Sequence, residues 1–114
     1  MRMITITTDG QCNLIDEKWE LVDFNTFVDG WIESLTFPDG HSFIVNEEGK
    51  IIGFDINDVA TNIANFLFEQ NPSYMGFYDV IVGNCVLVGP TDRDGNSTDV
   101  SDSIVDLFKE RGLL

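Results

Sequence analysis

Basic side chains are what this sequence has least of: six Lys and Arg stand against twenty Asp and Glu in 114 residues. The formal charge of -14 lies well beyond the magnitude of roughly 2–8 usual for a small soluble domain. Self-repulsion on that scale opposes compaction, so the acids are expected to serve more than solubility. Direct binding of nucleic acid is disfavoured, because it needs Lys and Arg to displace condensed counterions. A single histidine, His41, excludes a two-histidine metal site, and a Ser-His-Asp system would have to use that residue. Cys12 and Cys85 are far apart and fit no close-spaced metal pattern. They read as free thiols in a reducing compartment, with a disulfide or a catalytic thiol as the lesser alternatives. No run of the chain approaches the ~20 consecutive apolar residues of a membrane span. The alternating start, Met3 to Thr8, meets Asp9-Gly10 as a strand meets its turn, unlike a leader segment. A cytoplasmic protein with no membrane partner is expected.

What is present is enough for a core. The apolar fraction is 43% and includes nine Phe, which argues against a disordered chain and for one domain over residues 1–114. Asp9-Gly10 between two alternating runs predicts a hairpin. A short strand is expected at Trp19 to Val22, then one or two helical turns over Phe24 to Asp29 ended by Gly30. Three strands follow in the reading: Trp31 to Phe37, His41 to Asn46 and Lys50 to Phe54, joined at Pro38-Asp39-Gly40 and Glu47-Glu48-Gly49. The main helix is predicted over Ile56 to Gln70, with Asp55 or Asn57 as cap and Pro72 as stop. After a link at Asn71-Pro72-Ser73, Phe77 to Val88 reads as a central strand buried on both faces, with Gly83 as a bulge. Gly89 to Thr98 is a polar loop, and Val100 to Arg111 a closing helix with Val100, Ile104, Leu107 and Phe108 inward. The sum is an α+β fold: a mostly antiparallel sheet, one main helix packed on it and a C-terminal helix.

Candidate sites follow from charge and turn chemistry. Asp102, Asp106 and Glu110 stand at i, i+4 and i+8, a single acidic line whose like-charge neighbours cost a few tenths of a kcal/mol each. A partner-facing stripe is the functional reading of that line; a solvated helix face is the plain one. Glu47 and Glu48 sit on a turn from which paired carboxylates can engage an Arg or Lys of a partner. The loop from Asp92 to Asp99 places its glycine in no register that suits a calcium loop, so it reads as an ordinary polar turn. His41 reads as an exposed or edge histidine. No cofactor and no metal are expected.

The order Phe27-Val28-Asp29-Gly30-Trp31-Ile32-Glu33, Val45-Asn46-Glu47-Glu48-Gly49-Lys50, Asn57 and Asp79-Val80-Ile81-Val82-Gly83 resembles an uncharacterised family, domain of unknown function 3846. That family occurs largely in phages, plasmids and other mobile elements. The resemblance spans roughly residues 20–90, and the Asn-Glu-Glu-Gly-Lys segment is its specific part. Asp29 stands where the family usually has Gly, which puts the shape of that turn in question. The resemblance implies a small α+β domain of mobile-element origin; it carries no established activity, so it transfers no catalytic residue.

Charge and resemblance together lead to a non-enzymatic accessory protein of phage type. It would bind a basic surface of a host nucleic-acid-binding or defence protein, in the host cytoplasm, by presenting carboxylates where phosphates would lie. Glu47, Glu48, Asp102, Asp106 and Glu110 are the partner-binding candidates. The alternative is a binder of a small molecule or nucleotide signal, with Trp31, Asn46, Asn57 and Asp79 as the ligand-binding candidates if they converge. An enzyme built on Cys85 or His41 is the weakest reading.

Overall fold

The structure, a computed structural model, describes residues 1–70 and 79–114. Two hairpins form the outer parts of one sheet. Strand β1 (Arg2–Ile6) pairs with β2 (Cys12–Asp16) across the Asp9-Gly10 turn. Strand β3 (Ile32–Thr36) pairs with β4 (Ser42–Asn46) across Pro38-Asp39-Gly40. Strand β5 (Cys85–Val88) inserts between them, so the order is β2-β1-β5-β4-β3 with every pairing antiparallel. All four β5 residues are buried, which is why Val and Leu fill it without polar alternation.

Period-two alternation sends opposite sets of side chains to the two faces. Ile4, Ile6, Phe43, Cys85 and Leu87 pack with α3 (Asp58–Glu69) and α4 (Asp102–Glu110) through Ala60, Ile63, Ala64, Leu67, Ile104, Val105 and Phe108. Met3, Ile44, Val86 and Val88 form a second cluster with Trp19, Phe24, Phe27 and Ile32, beneath α1 (Leu21–Val28). The sheet is therefore covered on both faces, and the architecture is α+β as expected.

Three expected elements differ. No strand forms at Trp19 to Val22; Leu21 and Val22 open α1 instead. The Asp23 carboxylate accepts the Glu20 N–H at 2.8 Å, and Trp19 packs edge-on against Phe24 with centroids 5.1 Å apart. These are a capping interaction and a hydrophobic staple, which start a helix here and exclude a strand. Helix α1 ends at Asp29, itself left-handed at φ 61. Gly30 N–H reaches Asn25 O and Asp29 N–H reaches Thr26 O, a Schellman closure. The turn therefore keeps its left-handed residue even with Asp in place of Gly.

Lys50 to Phe54 forms no strand either. Gly49–Ile52 is a single helical turn, α2. Strand β4 already has β3 on one side and β5 on the other, leaving no edge for a third strand of the meander. The long run before Val88 is likewise shortened: β5 starts at Cys85, Gly83 is left-handed at φ 76, and Val82 makes only an isolated bridge to Ile56. The link at Asn71-Pro72-Ser73 and the start of the run at Phe77 lie outside the described residues. Ile56 is exposed and precedes α3, whose cap is Asn57.

Candidate functional site

All twenty acidic side chains are exposed, yet they are not equivalent. Helix α4 begins at Ser101, whose hydroxyl accepts the Ile104 N–H. Asp102 follows and meets Arg2, whose Nη2 lies 3.0 Å from its Oδ1. Arg2 also donates to Val100 O, while its own N–H goes to Asp99 Oδ1 at 2.8 Å. The acidic line thus divides: Asp102 is tied to β1, and Asp106 and Glu110 have no ion-pair partner among the described residues.

Asp106 and Glu110 border a groove of about 450 Å³ between α3 and α4. Its floor is apolar (Phe66, Leu67, Ile104, Leu107), and Asp39 closes the rim from the β3–β4 turn. Asp39 is a residue the sequence reading missed; Pro38-Asp39-Gly40 signals a turn, but nothing local says which helices that turn faces. The guanidinium of Arg111 lies over the Phe66 ring at 4.8 Å, a cation–π contact beside the groove.

His41 departs from the exposed position expected of it. It is 4% exposed, its Nε2 accepts the Ser101 N–H at 3.2 Å, and its Nδ1 lies 3.1 Å from Asp39 Oδ2. The nitrogen that a general base would use is therefore committed to the cap of α4. Cys85 is buried, and desolvation, followed by the neighbouring Cys12, pushes its thiol pKa up. Burial raises Cys12 as well. Both cysteines pair with Ile6 from opposite sides, so they are separated by two strand spacings, roughly 9–10 Å. That is too far for a disulfide, and both are free.

Glu47 and Glu48 precede α2, and Glu48 is its cap residue. Glu47 lines a second cleft of about 170 Å³ with Glu33, Lys50, Asp79 and the apolar Leu35, Val45 and Ile81. Glu48 does not line it. Lys50 forms an ion pair with Asp79 there, and that hydrogen bond, the Val80 N–H and the ammonium charge hold the Asp79 carboxyl below its ordinary range.

The four candidate ligand residues do not meet. Trp31 is 68% exposed and lines neither that cleft nor the α3–α4 groove. Asn46 is buried and donates to Val28 O and Asp29 O while accepting the Glu48 N–H. Asn57 is fully buried, donates to Ile6 O and Gly83 O, and accepts the Ala60 N–H. Only Asn46 and Asp79 share the cleft. In the Asp92 loop, Asp92 Oδ1 accepts the Asp94 and Asn96 N–H groups, both at 2.9 Å; its carboxylate holds the turn together.

Asn46 and Asn57 both stand in the motif order read from the sequence, and both side chains are spent on backbone groups. Each is a buried fastener that satisfies backbone groups at a chain crossing. No curated protein and no solved structure matches the chain. The family match covers residues 1–112, extending the resemblance through α4, and the chain belongs to the family described as domain of unknown function 3846.

Proposed function

We propose that this protein is a non-enzymatic binding module of phage or mobile-element origin that engages a basic surface on a nucleic-acid-binding or defence protein. The observation that carries the reading is the pair Asp106 and Glu110, exposed, without an ion-pair partner among the described residues, and set along an apolar groove. Carboxylates left unneutralised on a rigid helix are available for charge-assisted bonds to Arg and Lys. The wider field of a chain at -14 accelerates encounter with a cationic partner and repels nucleic acid.

Further support comes from the nucleophile and base candidates. The Cys85 thiol is buried with a raised pKa, and His41 Nε2 is occupied by a backbone amide. The small-molecule alternative is less well supported, since Asn46 and Asn57 spend their side chains on the backbone. The cleft that Asn46 and Asp79 share is about 170 Å³, smaller than the roughly 300–1,000 Å³ usual for a ligand pocket, and none of the four candidates lines the larger α3–α4 groove.

The test is retention of a cell lysate on the immobilised protein, eluted at graded salt, beside a variant carrying Glu47→Gln, Glu48→Gln, Asp106→Asn and Glu110→Gln. Basic proteins should elute as salt rises and should be lost from the variant. Retention that ignores both salt and neutralisation would sink the reading.

A further inference from the structure

We propose that the groove between α3 and α4 docks a basic amphipathic helix of the partner, so that recognition is apolar at its centre and ionic at its edge. The inference rests on the basic-surface reading and narrows it to one place. Phe66 and Leu107 are the half-buried part of the floor, while Leu67 and Ile104 behind them belong to the core. Asp39 borders the groove from the β3–β4 turn, and Asp106 and Glu110 border it from α4. Asp106 and Glu110 are one helical turn apart, about 6 Å along the axis. A helix with apolar residues at i, i+3 and i+4 and Lys or Arg beside them matches such a site: anchors against Phe66 and Leu107, cations against the rim.

Charge complementarity selects this occupant. An anionic membrane or a nucleic acid meets repulsion from Asp39, Asp106 and Glu110. A second copy of the chain brings another -14. Arg111 covers one face of Phe66 but lines a separate cleft with Val59, Asn62 and Ile63, so the charged residues bordering the groove itself are all acidic. The surface is more specific than acidity alone, because a partner with charge but no apolar anchors leaves the floor wet.

Three synthetic peptides of equal charge and length separate the possibilities: an amphipathic Leu/Lys helix, the same residues reordered to destroy the apolar face, and a version with Ser for Leu. Backbone amide shifts on the intact protein report the site, and titration reports the affinity. The amphipathic peptide should bind at least about tenfold more tightly than either control, since burying even one anchor supplies that factor. Its shifts should centre on Phe66, Asp106, Leu107 and Glu110. The charge reversals Asp106→Lys and Glu110→Lys, at exposed positions, should weaken the amphipathic peptide at least about tenfold, because the cations lose their rim partners.

Equal, salt-sensitive binding of all three peptides would overturn the groove while leaving the basic-surface reading standing. Binding of none at low salt would remove both. Shifts centred on Glu47 and Glu48, or a dimer in sedimentation that the charge reversals dissolve, would also overturn the proposal.

Discussion

His41 Nε2 accepts the backbone N–H of Ser101 across 3.2 Å, fastening the residue before β4 to the cap of α4. Through this bond, residues sixty positions apart fix where the acidic helix begins. His41→Leu removes the acceptor and leaves a partly buried amide unpaired, which should cost about 1–3 kcal/mol. Urea unfolding measures the loss, and amide exchange at Ile104 and Val105 should accelerate. An unchanged midpoint would show that the bond is not formed in solution.

Asn57 joins three segments at once: its amide reaches Ile6 O and Gly83 O, and its oxygen caps α3 through Ala60. Asn57→Ala should destabilise by about 2–4 kcal/mol, combining a lost cap with orphaned carbonyls. Asn57→Asp keeps the cap acceptor but loses both donors. It should therefore stay destabilised in the same urea assay; full recovery would mean that only the cap matters.

Asp29 occupies the left-handed region at φ 61, where an L side chain crowds its own backbone. Asp29→Gly should raise stability by about 0.5–1 kcal/mol, and Asp29→Ala should lower it by a similar amount. The pair of melting temperatures decides the matter, since the two variants must move in opposite directions.

How much of this was legible from sequence depended on distance along the chain. The Asp9-Gly10 and Pro38-Asp39-Gly40 hairpins are local objects and legible as such, as are α3 from its Asn57 cap and α4 from its apolar stripe. Lys50 to Phe54 was misread because the competitor for the side of β4 is β5, some forty residues later. Trp19 to Val22 was misread although a local signal existed: Glu20 and Asp23 at capping spacing, with Trp19 and Phe24 as staple. The acidic line on α4 was visible, but its neutralisation at Asp102 by Arg2 depended on a contact a hundred residues long. Asp39 entered the groove by the same kind of long-range placement.

The two thiols should differ in reactivity. Cys85 is fully buried and its thiol is pushed up by desolvation; Cys12 is raised by partial burial. With iodoacetamide at pH 8, the native protein should label slowly at Cys12 and not at Cys85, and both should label in urea. Mass spectrometry locates the adducts. Rapid native labelling of Cys85 would contradict its position in β5.

Asp79 gives one pH dependence. Its carboxyl is held below the ordinary 3.8, first by the Lys50 hydrogen bond and then by the Val80 N–H and the ammonium charge. The unfolded chain takes up the proton first as pH drops, so the stabilisation is complete above 3.8 and is lost as pH falls through the lower folded value. The pair is exposed, so its contribution should be small and should shrink with salt. Lys50→Met should move the Asp79 carboxyl titration back toward 3.8, read by carbon NMR; an unmoved titration would mean the pair is absent in solution.

The late insertion of β5 has a consequence for how the chain assembles. The two hairpins close over short loops, yet among the described residues neither pairs with the other, and sheet continuity passes through Cys85–Val88. Before β5 is made, the described strands are two separate ribbons, and the edges of β1 and β4 that β5 later joins have no partner among them. Completion waits for a four-residue keystone to leave the ribosome, a high-contact-order step that should set the folding rate. Substitutions in β5, and in the hairpin turns formed before it, should therefore slow folding, while those in contacts made after β5 docks mainly change how fast the finished protein opens.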